Sequence, residues 1–585
     1  MASLHPSLVS ARPSFRNNNP KAIKLVRIPN RASRSVACKA ITDDDDFDSK
    51  NPKTHRQVLA PDLARRNLLL GLGGLYGSLH HNDPFAFANP ILPPDVAECV
   101  SPELHKCAKP TNCCPPPSRY IKDFEFPATR KLKIRPAAHL VDERYREKYR
   151  EAVRRMKALP PDDPRNFMQQ ANVHCAYCDG AYHQVGFPDL DLEVHGSWLF
   201  FPFHRWFLYF YERILSSLID DPTFALPFWN WDAPAGMVIP EIYTDPHSTL
   251  YDPLRNADHQ PPTPADFNFS SGCECQRSWD DQVDANLKTM YKQMVSGAKR
   301  PSLFFGAAYR AGQSDPNNGE GTIELIPHNT MHNWTGDNCQ PNGEDMGSFY
   351  SAARDPIFYS HHANVDRMWE IWKTLPGGKR RDIRDPDWLE SGFLFYDENK
   401  DLVRVKIKDC LDTGKLGYTY KDVGIPWIDA KPTRSRSTFL KSQGKKFDGG
   451  KVKFPLVLRS PVSITVEREK GRSKKEKEMT EEVLVIEGIE FSASDSPVKF
   501  DVYVHREGEF SGAGGPMTTE FAGSFVSVPH HHKRLTMKTN LRLGITELLE
   551  DLGADDDKRV GVTLVPQAGK GRITIERIKI EYIDE

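Results

Sequence analysis

Six histidines fall into two groups along the chain, and their spacing is typical of metal ligands. His328 and His332 lie four residues apart, so a helix would place both imidazoles on one face. Neither group needs a cysteine or a carboxylate to complete it, and imidazole suits copper, zinc, iron and nickel. The Irving–Williams order then favours copper among the divalent ions. The first group is His174, His195 and His204, and the second is His328, His332 and His362.

The segments that carry these histidines have the periodicity of helices. Residues 142–158 read as a charged amphipathic helix, and residues 204–218 place their large apolar side chains on one side. Residues 327–333 and 355–375 are also predicted helices, and each carries part of the second group. Side chains on facing helices of a bundle can build a metal site in its core. We therefore predict a mainly α catalytic domain, a helical bundle that holds two metal ions, over residues 89–430.

Beyond this domain the sequence pattern becomes that of β structure. Residues 431–450 are basic, contain Ser and Gly and lack apolar periodicity, which is typical of a linker. Apolar and polar residues alternate over 497–504, and the apolar positions of 573–582 change phase once, as a β-bulge would cause. A small all-β sandwich domain is therefore predicted over 451–585. The charged run 467–482 is expected to be a solvated loop.

The N-terminal part of the chain has the composition of a targeting segment. The first 41 residues contain eight Lys and Arg and no acidic residue, as organellar transit peptides do. A twin arginine at 65–66, an apolar run at 68–75 and an A-x-A pattern follow, which is typical of a second translocation signal. That run is too short to span a bilayer. Residues 1–88 are therefore predicted to be a bipartite chloroplast and thylakoid transit peptide, which places the mature chain, starting near Asn89, in the thylakoid lumen.

Composition indicates a globular protein and argues against nucleic acid as a partner. Of all residues 39% are hydrophobic and 10% aromatic, and the net charge is −1. Residues 89–585 contain no basic stripe with interleaved aromatic side chains, which would mark a nucleic-acid surface. We expect no transmembrane segment.

Cysteines cluster near the predicted mature N-terminus and the first histidine group. Cys113 and Cys114 are adjacent and cannot easily pair with each other, so each is expected to form a disulfide with a distant partner. Disulfides need an oxidising compartment, which the thylakoid lumen can supply. The cluster also contains Cys99, Cys107 and Cys175, while the pairing of Cys273, Cys275, Cys339 and Cys410 is left open.

Several segments carry a resemblance to a known family. HCAYC (174–178), FPFHRWFLYFYE (201–212), PHNTMHNWTG (327–336) and DPIFYSHHANVDRMW (355–369) resemble the copper A and copper B regions of plant polyphenol oxidases. That type-3 copper family also includes tyrosinases, catechol oxidases and molluscan haemocyanins. Further motifs resemble the family's DWL region, its tyrosine motif and its KFDV signature, and they are DPDWL (385–389), YTY (418–420) and KFDV (499–502). The resemblance covers essentially the whole chain.

The resemblance implies two copper ions, each with three of the six histidines, and O2 as co-substrate. Of the adjacent pair His361 and His362 it assigns the ligand to His362, whereas the sequence alone cannot choose. It also implies a thioether bond between Cys178 and the ring of His195. The implied disulfides are Cys99–Cys114 and Cys113–Cys175, with Cys107 as a competitor for the position of Cys99.

The resemblance implies an oxidase that converts catechols to o-quinones while O2 is reduced to water. Glu324 matches a family glutamate that holds an ordered water, and Asn329 matches an asparagine that polarises this water, so we also expect hydroxylation of monophenols. Phe349 matches a bulky gate residue over copper A, with an ordinary core aromatic as the alternative. Asn333 is expected to face the same entrance and to bias substrate selection. Asp366, one helical turn after a histidine, is expected to accept an imidazole N–H or to brace its helix.

The C-terminal domain is expected to cap the copper entrance, so that the chain stays latent until an activating protease cuts the linker. A bulky aliphatic residue near Ile489 would then plug the site, and the alternative is a folding or interaction module. Phenolic small molecules are the expected substrates. Other functions considered are a dedicated hydroxylase of the lignan or aurone type, a non-catalytic oxygen-binding dicopper protein and a dinuclear zinc hydrolase. Zinc hydrolases usually mix carboxylates with histidines, and a plastid address opposes a secreted oxygen carrier.

Overall fold

The computed structural model describes most of the chain beyond the predicted leader. The predicted leader (1–88) and nearly all of the predicted linker (431–450) lie outside the described residues, as do Cys273 and Cys275. All described residues belong to one compact unit, Ser78–Glu585. The described ranges are 89–104, 107–127, 132–270, 277–313, 318–432, 452–468, 472–492, 497–510, 512–528 and 536–584.

The first part of the described chain is mainly helical, as predicted. Its helices are α1 (Glu143–Lys157), α2 (Phe167–Cys178), α3 (Phe200–Leu218), α4 (Trp279–Tyr291), α5 (Pro301–Phe304), α6 (Asn329–Thr335), α7 (Phe349–Ala352), α8 (Ile357–Thr374), α9 (Pro386–Glu390) and α10 (Thr413–Leu416). Two π-helical turns, Lys292–Ser296 and Glu324–His328, extend α4 and precede α6. Short strands lie between them, namely β1 (Ile121–Asp123), β2 (Lys133–Arg135), β3 (His183–Gln184), β4 (Phe187–Asp191), β5 (Gly392–Tyr396), β6 (Leu402–Lys406) and β7 (Tyr418–Tyr420).

Local sequence explains where the main helices begin and what they bury. Asp142 caps α1, because its carboxylate accepts the backbone N–H of Tyr145 at 2.8 Å. Helix α3 begins at Phe200, four residues before the predicted start, and nearly every residue from there to Ser216 is buried. A helix that is apolar on all sides belongs in the centre of a domain. Helix α3 is accordingly the central helix, and it packs against α1 and α8.

A buried carboxylate ties α3 to α8. Asp366 of α8 accepts hydrogen bonds from Arg205 of α3 at 2.5 Å and from the Tyr418 hydroxyl at 2.7 Å. Burial alone would raise its pKa, but the positive charges of Arg205 and Arg135 hold the pKa of Asp366 below its ordinary value. Both ring nitrogens of His362 are without a hydrogen-bond partner among the described residues. Of the two expected roles, the structure therefore favours bracing of the helix.

The C-terminal part of the chain is an all-β sandwich, as predicted. Its strands are β8 (Leu456–Val457), β9 (Val462–Glu467), β10 (Glu481–Ser492), β11 (Lys499–Arg506), β12 (Phe521–Val526), β13 (Thr536–Gly544), β14 (Arg559–Ala568), β15 (Thr574–Ile575) and β16 (Arg577–Ile583). One sheet has the order β13-β10-β15-β8 with β16 also on β10, and the other has the order β12-β11-β14-β9. The predicted change of phase is the break at Glu576 between β15 and β16, where its N–H bonds to the carbonyl of Glu487 at 3.0 Å.

Two details of this domain differ from the sequence prediction. The polar side chains of β11 before Arg506 are buried: Lys499 is 2% exposed and donates to the side-chain oxygen of Asn268 at 2.8 Å. The charged run 467–482 is also more than a solvated loop, because it includes a capped helix, α11 (Lys474–Met479). Glu482 at its end is buried and pairs with Arg468 at 2.6 Å. Lys499 looks solvated in the sequence because Asn268 lies 231 positions away, whereas Glu482 and Arg468 belong to the same run and only the fold brings them together.

The last helix of the chain, α12 (Thr546–Leu552), joins the sandwich to the helical domain. Glu547 accepts the hydroxyl of Tyr291 at 2.6 Å and pairs with Lys299 at 3.0 Å. In the part of the chain that the structure describes, no helix is long and apolar enough to cross a membrane.

Replacing Asp366 by Asn should destabilise the fold by about 1–3 kcal/mol, because the buried Arg205 and Arg135 lose the carboxylate that they share and keep only Glu370 and Glu212 as counter-charges. Urea unfolding of the protein followed by tryptophan fluorescence measures the change. The surface variant D189N is the control, and we expect it to lie within about 0.5 kcal/mol of the wild type. Equal stability of the two variants would show that this ion pair does not hold the helices together.

Candidate metal centre

The fold brings the two histidine groups together in the core. His174 comes from α2, His204 from α3 and His362 from α8, while His195 lies in the loop before α3. Within the first group the ring nitrogens lie within 4.8 Å of one another, and the same holds for the second group with His361 included. The rings of His204 and His362 stack across the groups at 4.1 Å. The six imidazoles therefore form one buried cluster.

Hydrogen bonds at Nδ1 orient the rings. The Nδ1–H of His204 donates to the carbonyl of Phe200 at 2.8 Å, one turn earlier on the same helix. The Nδ1–H of His328 is shared between the carbonyl of Glu324 at 3.2 Å and the side-chain oxygen of Asn329 at 2.9 Å. Two more rings use carbonyls from another segment, His174 that of Phe349 at 3.0 Å and His332 that of Met346 at 2.7 Å. When Nδ1 carries the proton, the lone pair on Nε2 is left for a metal ion.

The Nε2 atoms have the surroundings expected of a metal site. Those of His174 and His204 are buried without a protein partner, and those of His328 and His332 face each other at 3.1 Å. Two lone pairs at that distance repel unless an electron-pair acceptor lies between them. Burial lowers the pKa of every ring in the second group, to about 4 for His332, and the neighbouring imidazoles lower the pKa of His328 and His362 further. Neutral imidazoles are the protonation state that binds metal, so these residues fit a pair of copper ions.

The structure distinguishes His361 from His362. The indole N–H of Trp231 donates to Nδ1 of His361 at 3.2 Å. An indole nitrogen can only donate, so this Nδ1 must be unprotonated and the proton of the neutral ring sits on Nε2. The Nε2 of His361 then has no lone pair for a metal, whereas His362 has both ring nitrogens available.

Three side chains surround His195. Glu193 accepts the backbone N–H of His195 at 2.8 Å and faces its Nδ1 at 3.2 Å, and burial raises the pKa of this carboxyl to about 8. The ring of Phe349 stacks on the imidazole with centroids 4.0 Å apart. Cys178 is buried and takes part in no disulfide, and its sulfur lies within 4.8 Å of the imidazole nitrogen. The thioether bond between Cys178 and His195 stays a prediction.

Two glutamates lie close to the second group. Glu324 accepts the N–H of Gly196 with one oxygen at 2.8 Å, and its other oxygen is buried without a partner among the described residues. Burial and then the charge of Glu320 raise the pKa of Glu324. Asn329 donates to Glu320 at 3.0 Å rather than to Glu324. The role of Asn329 in polarising a water on Glu324 therefore stays a prediction.

The sandwich domain covers this side of the cluster. Asn329 donates its second amide hydrogen to the carbonyl of Val526 at 3.0 Å, and Asn333 donates to the carbonyl of Ser527 at 3.0 Å. A cavity of about 10 Å³ remains between the domains, which is room for about one water. Ile489 is not among its lining residues, and those contributed by the sandwich are Phe491, Phe525, Ser527, Val528 and Met537.

One disulfide joins the N-terminal segment to α2, and another lies within the segment. Cys99 bonds to Cys114 and Cys113 bonds to Cys175, the neighbour of the ligand candidate His174. Cys107 is also disulfide-bonded, so it does not displace Cys99 in the first pair. Cys339 is exposed and Cys410 is buried, and both are free thiols.

Sequence reasoning missed Glu193 and Glu320. Glu193 lies two residues before His195, and Glu320 lies one helical turn before Glu324. A carboxylate beside a ligand candidate was the available signal, but the chain contains 79 acidic residues, and most of those that the structure describes are not buried. Only the fold separates the buried ones from the rest.

Comparison with known proteins gives three matching families along the chain. Residues 164–375 match the family described as the common central domain of tyrosinase, and residues 382–433 match the polyphenol oxidase middle domain. Residues 454–582 match the chloroplastic polyphenol oxidase C-terminal domain. Each predicted motif region thus falls inside a matching family.

Individual relatives match over nearly their full length. A chloroplastic polyphenol oxidase of Malus domestica is 57% identical over 97% of this chain and 96% of its own. The chloroplastic (+)-larreatricin hydroxylase of Larrea tridentata is 50% identical over 95% of each chain. The structure of latent apple tyrosinase superposes with a TM-score of 0.74 at 59% identity, over 79% of this chain and 99% of that one. The relatives' names support a chloroplast location, and the chain belongs to the plant polyphenol oxidases, type-3 copper enzymes of the tyrosinase family.

Proposed function

We propose that this chain oxidises catechols to o-quinones with O2, through two copper ions bound by the two histidine groups. The observation that carries the proposal is the set of ring nitrogens that converge in the core while hydrogen bonds at Nδ1 to backbone carbonyls hold four of the six rings. His174, His195 and His204 would bind one copper ion, and His328, His332 and His362 the other. The bound copper pair would supply O2 binding and electron transfer.

The protein's own groups explain why such a pair would be reactive. All ligands are neutral imidazoles, so the two copper ions keep their full positive charge and attract a phenolic oxygen. Rotation of the rings is restricted, because backbone carbonyls fix four of them, Phe349 packs against His195, and His362 stacks on His204. A bound catechol would meet Phe349 on the side that the sandwich domain now covers. Removal of that cover is therefore required before substrate can approach.

Because His362 is assigned as a copper ligand and the adjacent His361 is not, variants of the two residues provide a test and its matched control. We expect H362A to lose about half of the bound copper and nearly all catechol oxidation, because one copper ion loses one of its three ligands. H361A should keep its copper, because this ring offers no lone pair at Nε2. Copper per chain by elemental analysis and oxygen uptake with 4-methylcatechol measure both effects. The assignment fails if H361A loses the copper and H362A retains it.

We further propose that the chain hydroxylates monophenols. This reaction needs a base, because a phenol with a pKa of about 10 must first lose its proton. The partnerless oxygen of Glu324 can hold a water next to the second histidine group. Asn329 would assist only after the sandwich has left, since Val526 and Glu320 occupy both of its amide hydrogens in the latent form.

The variant E324Q should lower tyramine hydroxylation by about 10²–10⁴-fold, the usual contribution of a general base. Catechol oxidation should change much less, because catechols are more acidic and need less help to ionise. Both rates are measured on protein freed of its sandwich domain, with copper content as the control. If E324Q lowers both activities equally, Glu324 is not the base for hydroxylation. If the wild type does not hydroxylate tyramine, the proposed monophenolase activity is wrong.

We also propose that the sandwich domain keeps the enzyme latent in the thylakoid lumen until a protease cuts the linker. The hydrogen bonds of Asn329 and Asn333 to carbonyls of the sandwich support a specific closed arrangement. The two disulfides near the N-terminus support an oxidising compartment. A folding module would not need to cover the histidines.

Limited proteolysis within 431–450, followed by separation of the fragments, should raise catechol turnover at least tenfold. The physical reason is that a cavity of about 10 Å³ admits no phenol. Turnover of intact and cut protein is compared at equal copper content, with protein cut but not separated as a second sample. An unchanged rate in the separated enzyme would reject the shielding role.

A further inference from the structure

Residues 343–349, here called the bridging segment, contact both histidine groups. The carbonyl of Met346 accepts the Nδ1–H of His332 at 2.7 Å, and the carbonyl of Phe349 accepts that of His174 at 3.0 Å. One histidine belongs to each group. His204 and His328 instead donate to carbonyls one turn earlier in their own sequence. Displacement of the bridging segment would therefore loosen one ring at each copper ion while leaving these two in place.

The backbone of the bridging segment packs so closely against itself and against the end of α6 that there is no room for a side chain at the contact points. A Cβ on Gly347 would come within 2.5 Å of the Gly343 carbonyl oxygen. A Cβ on Gly336, directly after α6, would come within 2.2 Å of the same oxygen. Only glycine permits this approach of backbone to backbone. The end of the helix that carries His332 thus lies directly on the bridging segment.

Asp345 anchors the bridging segment to the preceding loop 252–255. Its backbone N–H donates to the carbonyl of Leu254 at 3.2 Å, and its own carbonyl accepts the hydroxyl of Ser351 at 2.9 Å. Its carboxyl group also lies within hydrogen-bonding reach of the carboxyl group of Asp252. The backbone N–H of Leu254 in turn donates to Asp252 at 2.7 Å. Two acidic side chains therefore close a ring of hydrogen bonds between loop and segment.

The two acids can bond to each other only if one keeps its proton. Both are buried, with 6% of Asp252 and 9% of Asp345 exposed. Burial, then the charges of Asp355 and Asp345, raise the pKa of Asp252 well above its ordinary value. Asp252 is accordingly the donor and Asp345 the carboxylate acceptor. A buried donor and acceptor of this kind are costly to separate, since each would lose a hydrogen bond that replaces one to water.

The same loop, residues 252–255, also contacts the start of α8, the helix that carries His362. Arg255 forms two hydrogen bonds with Asp355, at 2.7 and 2.6 Å. Asp355 accepts the N–H of Ile357 at 2.9 Å, which is the first residue of the helix that carries His362. The loop therefore connects the bridging segment with the start of α8. Movement of the loop would affect both ends.

We propose that Asp252 and Asp345 are positioning residues for the copper pair. Their shared hydrogen bond holds the bridging segment where its two carbonyls fix His174 and His332 at the angle required for metal binding. The proposal rests on the proposed ligand roles of these histidines. Neither acid touches copper, O2 or substrate, so they act only through the imidazoles.

The test compares two variants of Asp252 in the copper-loaded full chain. D252N retains both interactions, because the amide oxygen can accept the N–H of Leu254 and the amide nitrogen can donate to Asp345. D252A removes both. We expect D252A to release copper to a chelator about 10–100-fold faster than the wild type, the range found when groups behind a metal ligand are changed. D252N should release copper at the wild-type rate.

A control separates positioning from a general loss of stability. V153A makes a cavity in the core face of α1, a helix that contributes no histidine to the cluster. The unfolding midpoint of the copper-free protein is measured for all variants alongside copper release. Positioning predicts faster release in D252A than in V153A at comparable stability.

Every outcome of the copper-release experiment either supports or overturns the positioning role of Asp252 and Asp345. The positioning role is overturned if D252A keeps copper as the wild type does, if D252N behaves like D252A, or if V153A releases copper equally fast. A wild type that binds two copper ions in any of these cases leaves the proposed function intact. A wild type that binds none removes both proposals together.

Discussion

Burial of six neutral imidazoles in one cluster is the constraint on which the rest of the structure depends. Each ring must give up water on both nitrogens, so the protein supplies a partner for the Nδ1 of most rings and leaves Nε2 to the metal. Backbone carbonyls supply most of these partners. A carbonyl is rigid and uncharged, so it fixes the tautomer without adding a negative charge to the site. The electrophilic character of the centre follows from that choice.

The helical core satisfies this constraint through charge pairs placed one layer further out. Asp366 and Arg205 join the helices of His362 and His204, while Asp355 and Arg255 secure the start of α8. These pairs are almost fully buried, and a buried pair costs desolvation on both sides. They are consistent with a core that needs a fixed geometry rather than a maximum of stability. Apolar side chains would pack as well but would specify the helix positions less sharply.

Much of this arrangement could be predicted from the sequence because the signals are local. The four-residue spacing of His328 and His332, the apolar side of α3 and the alternation in β11 need only neighbouring residues. What the sequence did not reveal depends on contacts between distant segments. Glu193 and Glu320 look like ordinary acidic residues, Lys499 looks exposed until Asn268 covers it, and the bond between Asp252 and Asp345 spans 93 positions. The choice between His361 and His362 also needed Trp231, 130 residues away.

The sandwich domain is attached to the helical domain both by the linker and by noncovalent contacts, and this affects how fast the enzyme would become active. Cutting the linker breaks one covalent connection but leaves the hydrogen bonds of Asn329 and Asn333 and the ion pair of Glu547 in place. The fragment changes from a tethered inhibitor, with an effective concentration on the order of millimolar, into one that can dissociate. Dilution after cleavage, more than the cut itself, would then set the moment of activation. A crowded, protein-rich compartment would delay activation, and rupture of that compartment would dilute the fragment and allow activation.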